Sequence, residues 1–314
     1  MKKEKYGLTR SEYRKLIEDD TVKSKVLEQR LTVPKSVFRY RRLGFENDKN
    51  EWVESKHWKD DVNGICMFSM PDSFNKNDID DCKVYFDIDK IFNYMFREYS
   101  EEDRRIARDL GKKTLTEYCE SLQRKMLVGC FTSVKPEYES MWDDPNFGDK
   151  GRGICIEYEV DDANFRPDNL AFLPILYDDV KYDNTRAMEA LVDYAKDSNN
   201  VDAQRKLVCL GYGHTLVKAS KYEREEEWRL MIPLREDGAH LDYFNVDHKS
   251  KRDFTTAVKA IYLGPEFDTL PESEKYIDEI FKKWGNIGIP VYRVHFEEGQ
   301  FKNIIEEHWK SGGE

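Results

Sequence analysis

The chain has 314 residues, of which 39% are hydrophobic, 36% are charged and 13% are aromatic, and its formal net charge is −11. A chain this long and this rich in aromatic residues has enough apolar material for a substantial core, which argues against a disordered protein. The acidic excess argues against a general nucleic-acid coat, because binding to phosphates depends on clustered Lys and Arg.

Cellular location is predicted from three further features of the sequence. The N-terminal residues lack the apolar core of a signal peptide, and no apolar window is long enough to cross a membrane. The six cysteines are scattered without a CxxC pair and without zinc-ligand spacing. Scattered thiols are typical of a reducing compartment. We therefore expect a cytoplasmic protein that makes no membrane contact.

The hydrophobic pattern predicts a mixture of helices and strands in chain order. Helices are expected at residues 10–31, 88–125, 185–198, 203–222, 272–284 and 300–310. Strands are expected at residues 37–41, 127–133, 153–160, 172–182, 227–235, 257–263 and 289–296. Because the elements do not alternate as βαβ units, we expect an α+β fold. Residues 1–33 would be a helical extension, and residues 34–314 a single α+β domain of catalytic type with helical insertions.

The common nucleotide and hydrolase motifs are absent from the sequence. It contains no GxGxxG after a strand, no GxxxxGK[ST], no HExxH and no GxSxG. Asp87, Asp89 and Lys90 resemble the acidic and lysine end of a restriction-nuclease site, although the start of a helix explains the same residues. A metal-dependent nuclease therefore stays an alternative.

Glu225 and Glu227 are the strongest candidates for chemistry. They lie two residues apart at the start of an alternating stretch, so on a strand both side chains would project from one face. One carboxylate can stabilise positive charge at a sugar carbon while the other orients or deprotonates a nucleophile. The alternatives are a charged helix terminus and ion pairs with Arg224 and Arg229. The pair Glu157 and Glu159 has the same spacing, but its position opposite the apolar face suits an exposed sheet surface.

Several short segments occur in the order found in one bacterial family, domain of unknown function two-nine-seven-one, which the chain resembles from about residue 36 to 297. The segments are Phe38–Arg41, Met70–Asn75, Cys130–Ser133, Met141–Trp142, Gly153–Tyr158, Glu225–Arg229 and Val258–Gly264. The chain departs from the family pattern at Lys76–Ile79 and at Asp143–Pro145. Members often occur among anti-phage and toxin–antitoxin genes. The resemblance therefore implies a role in conflict and a possible cognate antitoxin.

A basic residue on an early strand, a Phe-Thr-Ser strand and a Glu-x-Glu pair, in that order, are similar to the Arg-Ser-Glu class of ADP-ribosyltransferases. This resemblance implies a split, mainly antiparallel sheet with flanking helices and NAD as substrate. It would make Glu227 catalytic and let Glu225 position the acceptor nucleophile. The cofactor-binding residues would be Arg39 (or Arg41 in its place), Tyr40, Phe131, Thr132 and Ser133.

The expected function is therefore that of an NAD-dependent ADP-ribosyltransferase-like toxin or anti-phage effector. It would modify an RNA, DNA or protein acceptor and use no metal. Two other classes stay open: the metal-dependent nuclease, and a non-catalytic recognition module whose charged strands bind a partner. For the single residues, the alternatives are a surface salt bridge at Arg39 and hydrogen bonds to backbone at Thr132 and Ser133.

Overall fold

A computed structural model describes most of the chain: residues 7–20, 29–71, 74, 81–82, 98–124, 126–165, 171–178, 190, 193–194, 196–233, 251–297 and 300–305. Its helices are α1 (Arg10–Asp20), α2 (Trp58–Val62), α3 (Glu101–Gln123), α4 (Glu139–Trp142), α5 (Val201–Gly213) and α6 (Ser273–Trp284). Short 3₁₀ helices occur at His214–Leu216, Ser220–Glu225, Thr255–Ala257, Phe267–Thr269 and Gly285–Ile287. None of the helices in the described ranges combines the length and apolar character needed to cross a membrane.

The strands form one large sheet and three small ones. They are β1 (Ser36–Arg41), β2 (Gly44–Glu46), β3 (Trp52–Glu54), β4 (Ile65–Met67), β5 (Met126–Thr132), β6 (Ile154–Glu159), β7 (Ala171–Pro174), β8 (Leu176–Tyr177), β9 (Val217–Lys218), β10 (Glu227–Pro233), β11 (Lys251–Asp253), β12 (Val258–Leu263), β13 (Val291–Glu297) and β14 (Gln300–Ile305). The main sheet has the order β14-β13-β12-β6-β1-β5-β10-β7, and its neighbours are antiparallel except β12 and β13. The prediction of an α+β fold with a mainly antiparallel sheet and flanking helices is confirmed.

Two predicted helices were wrong in part. The predicted helix at 300–310 is strand β14 over Gln300–Ile305, antiparallel to β13, and residues 306–310 lie outside the described residues. The apolar spacing there also fits a helix, but pairing with β13 satisfies the backbone hydrogen bonds instead. The predicted helix at 203–222 ends as α-helix at Gly213 and continues as 3₁₀ turns and β9. Most of the predicted helix at 185–198 lies outside the described residues.

The two faces of the main sheet are covered differently. One face carries a single large core cluster that includes Phe131, Tyr158 and Trp228. The opposite face carries two separate clusters, one along β5, β7 and β10 and one along β1, β6 and β12. Helix α1 belongs to the first of these two clusters, through residues such as Ile17. Alternation along the strands sends neighbouring side chains to opposite faces, which is why one sheet supports both layers.

The sheet is weakly joined between β1 and β5. Among the described residues, Phe38 and Thr132 form the one register pair between these strands, whereas β1 shares six pairs with β6 and β5 shares seven with β10. Farther along β5, the backbone of Val128 exchanges hydrogen bonds with Ser69 instead, at 2.8 and 3.0 Å. The segment that ends at Ser69 therefore separates β1 from β5. We call this gap in the sheet the split; it lies between the two core clusters that share one face.

Candidate functional site

A cavity of about 480 Å³ lies at this split. Its size falls within the range of about 300–1,000 Å³ that is usual for small-molecule sites. The cavity wall includes residues of both strands, of the 3₁₀ turn before β10 and of β10 itself. It brings together these sequence-predicted residues: Arg39, Tyr40, Phe131, Thr132, Glu225 and Glu227. Ser133 does not line the cavity.

Glu225 and Glu227 reach the cavity by a route that differs from the predicted one. Glu225 ends a 3₁₀ helix, Glu226 has a left-handed backbone with φ of 44°, and Glu227 begins β10. The prediction that strand alternation places both side chains on one face is therefore wrong. The turn at Glu226 is held by neighbouring β5, because Thr132 Oγ1 donates to the Glu225 carbonyl (2.5 Å) and Ser133 N donates to the Glu226 carbonyl (3.1 Å).

Glu227 is a fixed anion inside a network of ion pairs. Arg229 Nε donates to its Oε1 at 2.7 Å, and Lys218 Nζ donates to its Oε2 at 3.2 Å. Its backbone N–H donates to the Tyr177 hydroxyl at 2.7 Å. Burial opposes ionisation, but the Arg229 guanidinium and the Lys218 ammonium lower the pKa of Glu227 to about 2. The carboxylate is therefore charged throughout the physiological pH range.

The Glu225 carboxylate accepts fewer hydrogen bonds than that of Glu227 among the described residues. Lys218 Nζ donates to its Oε2 at 2.7 Å, and in the described part of the chain Oε1 accepts no hydrogen bond. Burial raises the pKa of Glu225, and Lys218 opposes that rise. Because Glu225 lines the cavity, its carboxylate can accept a hydrogen bond from a bound molecule.

Arg229 and Asp81 complete what we call the carboxylate network: Asp81, Lys218, Glu225, Glu227 and Arg229. Arg229 is fully buried, and its Nη2 contacts both oxygens of Asp81 at 2.8 Å. Three carboxylates and two cations leave the network with one net negative charge. The sequence carried one signal that was missed: a charged residue inside the apolar run from Trp228 to Ile232 requires a buried partner. The alternative of a Glu227–Arg229 ion pair is thus present, whereas Arg224 pairs with Asp144.

Arg39 supplies an unsatisfied donor on the β1 side of the cavity. Arg39 is 6% exposed, its Nη2 donates to the Met67 carbonyl at 3.0 Å, and its guanidinium lies 5.8 Å from the centre of the Phe131 ring. The other terminal nitrogen, Nη1, is buried and has no hydrogen-bond partner among the described residues. Arg41, by contrast, donates to Asp61 at 3.1 Å. A buried guanidinium donor without a partner is a position for an anion, so Arg39 is the better placed of the two arginines.

The remaining predicted residues are engaged by the protein itself. Tyr40 and Phe131 are each 2% exposed; Tyr40 packs edge-on against Trp142, with ring centres 4.9 Å apart. The Thr132 hydroxyl accepts from Val134 N at 2.9 Å in addition to its bond with Glu225. Ser133 Oγ donates to Glu226 Oε2 at 2.8 Å. Stacking by the two rings and ribose binding by the two hydroxyls stay predictions.

The alternative sites stand as follows. The described residues contain no group of three or more His, Cys, Asp or Glu arranged to hold a metal ion. Asp87, Asp89 and Lys90 lie outside the described residues. Glu157 and Glu159 do not line this cavity: Glu157 accepts a hydrogen bond from the Tyr262 hydroxyl at 2.8 Å, and Glu159 is exposed. The structure thus distinguishes the two Glu-x-Glu pairs.

Comparison with known proteins gave one match. Residues 141–230 match the model of a family described as "Protein of unknown function (DUF2971)". No curated protein and no solved structure matches the chain. The matched segment covers less than half of the chain and runs from Met141 through β6 to Leu230 in β10, so it includes both carboxylates of the cavity. Through this segment, the chain is similar to the DUF2971 family.

Proposed function

We propose that the cavity binds NAD and that the chain transfers ADP-ribose from it to a macromolecular acceptor. The observation that carries this proposal is the shared cavity: an arginine with an unsatisfied donor, Arg39, and two carboxylates, Glu225 and Glu227, line the same 480 Å³ space. NAD requires this combination of charges, because its pyrophosphate is anionic while its nicotinamide ribose becomes cationic in the transition state.

Bond breakage in this mechanism depends on Arg39 and Glu227. The Arg39 guanidinium, which lines the cavity, binds a phosphate of NAD. The bond between ribose C1′ and the nicotinamide nitrogen breaks, and its electron pair leaves with neutral nicotinamide. Glu227, ionised and fixed by Arg229 and Lys218, stabilises the ribosyl cation. A preorganised charge of this kind contributes about 3–4 kcal/mol to lowering the barrier.

Bond formation depends on Glu225. As the acceptor nucleophile forms its bond to C1′, its proton passes to the free Oε1 of Glu225. Burial raises the pKa of Glu225 and so makes it a stronger base than an exposed glutamate. The acceptor is an RNA, a DNA or a protein, and the family context suggests a toxin or anti-phage effector with a neutralising partner.

The shape of the sheet supports an ADP-ribosyltransferase-like arrangement. Transferases of the Arg-Ser-Glu class, which the sequence resembles, bind NAD in a cleft of a split sheet without a Rossmann motif. In this chain the candidate cleft lies where, among the described residues, β1 and β5 share one register pair, Phe38 and Thr132. The basic residue comes from one side of that split and the carboxylates from the other.

The test is incubation of labelled NAD with cell lysate and purified chain. We expect wild type to label RNA, DNA or protein, and Glu227→Gln and Glu225→Gln each to reduce labelling by about 10²–10³-fold. Glu159→Gln is the matched control, because it removes an exposed carboxylate from the other Glu-x-Glu pair and should leave labelling unchanged. Thermal unfolding checks that each variant is folded. Equal labelling by wild type and a folded Glu227→Gln variant would contradict the proposal.

A non-catalytic recognition module is the second candidate function. It is favoured by one observation: both oxygens of Glu227 are already held in ion pairs. In that case wild type transfers no label, and a folded Glu227→Gln variant keeps its cellular effect. Cleavage of nucleic acid that depends on added Mg²⁺ would instead favour the nuclease alternative.

A further inference from the structure

Lys218 joins the two carboxylates of the cavity. Its ammonium nitrogen lies 2.7 Å from Glu225 Oε2, 3.2 Å from Glu227 Oε2 and 3.8 Å from Asp81 Oδ2. The residue is 9% exposed and also lines the cavity. It occupies β9, whose backbone pairs with Tyr177 of β8, so the position of the ammonium is set by a small sheet.

We propose that Lys218 is a positioning residue whose ammonium keeps Glu225 and Glu227 side by side as ionised carboxylates at the cavity wall. The sequence pattern did not mark this lysine, because it lies outside the Glu-x-Glu pair, although it falls within the segment that matches the family model. The proposal deepens the function proposed above, and it rests on that function only for the chemistry that the two carboxylates perform.

The electrostatic reason is the balance of charge in a buried space. With Lys218 present, the carboxylate network has one net negative charge. Removal of the ammonium would leave two, with Arg229 already committed to Asp81 and Glu227. Two close buried carboxylates without a shared cation do not both stay ionised, and one of them takes up a proton. Glu225 would take it, because Lys218 is its one ionic partner among the described residues.

Other groups around the two carboxylates do not replace the ammonium. Cys130 and Tyr177 are neutral, and burial raises the pKa of both. Tyr222 contributes a ring, whose centre lies 4.7 Å from Lys218 Nζ. Among the described residues, the charged and titratable groups that face the pair are Asp81, Cys82, Cys130, Tyr177, Lys218, Tyr222 and Arg229.

Native capillary electrophoresis at pH 7 tests the proposal without NAD. Lys113→Met is the control, because Lys113 is 73% exposed and its loss makes the chain more negative by about one charge. We expect Lys218→Met to change the charge by less than half as much, because Glu225 takes up a proton. Lys218→Arg should match wild type. A full extra negative charge on a folded Lys218→Met variant would overturn the proposal.

Two further variants keep the proposal testable if Lys218→Met does not fold. Glu225→Gln in the otherwise unchanged chain should shift the mobility as much as Glu159→Gln does; an unchanged mobility would mean that Glu225 is already protonated and would overturn the proposal. Lys218→Met combined with Glu225→Gln should be more stable to urea than Lys218→Met alone, and it should fold if Lys218→Met alone does not. Equal or lower stability of the double variant would also contradict the proposal.

Labelling separates this inference from the proposed function. If wild type transfers label, Lys218→Arg should retain transfer and Lys218→Met should lose it. If the charge measurements agree with expectation and wild type transfers no label, the proposed function fails while the role of Lys218 stands.

Discussion

Phe38 on β1 lies opposite Thr132 on β5, and this pair joins the two halves of the main sheet. Arg39, the next residue of β1, donates to the Met67 carbonyl, so beyond Phe38 the strand contacts the segment that separates it from β5. The consequence is a cavity whose walls come from different halves of the sheet. One half contributes the unsatisfied arginine and the other contributes the carboxylate network.

Loss of the Arg39 guanidinium should weaken the binding of anionic ligands. Arg39→Ala removes the buried donor Nη1, and a hydrogen bond to a charged group contributes about 1.5–3 kcal/mol. The dissociation constant for NAD should therefore rise about 10- to 150-fold in calorimetric titration. Arg105→Ala, on the exposed face of α3, is the control and should bind as wild type does. Unchanged affinity in a folded Arg39→Ala variant would remove Arg39 from the binding site.

Arg229→Leu should strongly destabilise the chain. Arg229 is fully buried between Asp81 and Glu227, and its removal leaves both carboxylates without their main cation. Breaking a buried ion pair in this way costs about 3–5 kcal/mol in the free energy of unfolding. Urea denaturation measures this loss. A change below about 1 kcal/mol would mean that the network does not form as described.

Acid should destabilise the chain partly through Glu227. Its folded pKa of about 2 lies below the ordinary value of 4.5, so its stabilising contribution is complete above about pH 4.5 and is lost as the pH falls towards 2. The contribution is on the order of 3 kcal/mol. The contribution of Glu225 to the pH dependence of stability has the opposite sign. Burial raises its pKa in the folded chain, so protonation of Glu225 favours the folded state.

Urea midpoints of wild type and Glu227→Gln, measured from pH 6 to pH 2, test this expectation. The difference in the free energy of unfolding between the two chains should be largest near pH 6 and should shrink as the pH falls below about 4.5. A difference that stays constant over this range would show that Glu227 does not titrate between those values.

Gly129→Ala should disturb the segment that separates β1 from β5. A Cβ on Gly129 would lie 2.5 Å from Phe68 Cε1 and 2.6 Å from Cζ, which is too close for an unchanged ring position. Overpacking of this kind costs about 1–3 kcal/mol in the free energy of unfolding. Combining Gly129→Ala with Phe68→Leu should recover part of that loss. If Gly129→Ala alone is as stable as wild type, the ring does not pack against this strand.

Much of the sheet was predictable because apolar runs and alternation are local properties. The strands at 37–41, 127–133, 153–160 and 257–263 were predicted within a few residues of β1, β5, β6 and β12. Strand β14 was not predicted, because the spacing of its apolar residues also fits a helix. The segment forms a strand by pairing with the edge of β13. The Glu225–Glu227 pair was found by its spacing, although its geometry depends on the left-handed residue Glu226.

The sequence by itself determined the α+β class and marked Arg39, Glu225 and Glu227 as residues of interest. Tertiary structure alone decided the contacts around the two glutamates. Asp81 contacts Arg229 although 148 positions separate them in the sequence, and Lys218 contacts both carboxylates from a separate small sheet. The physical reason is range. Hydrophobic periodicity is a local property that can be read within a single helix or strand. The partner of a buried charge is instead whichever opposite charge the folded chain brings within hydrogen-bonding distance.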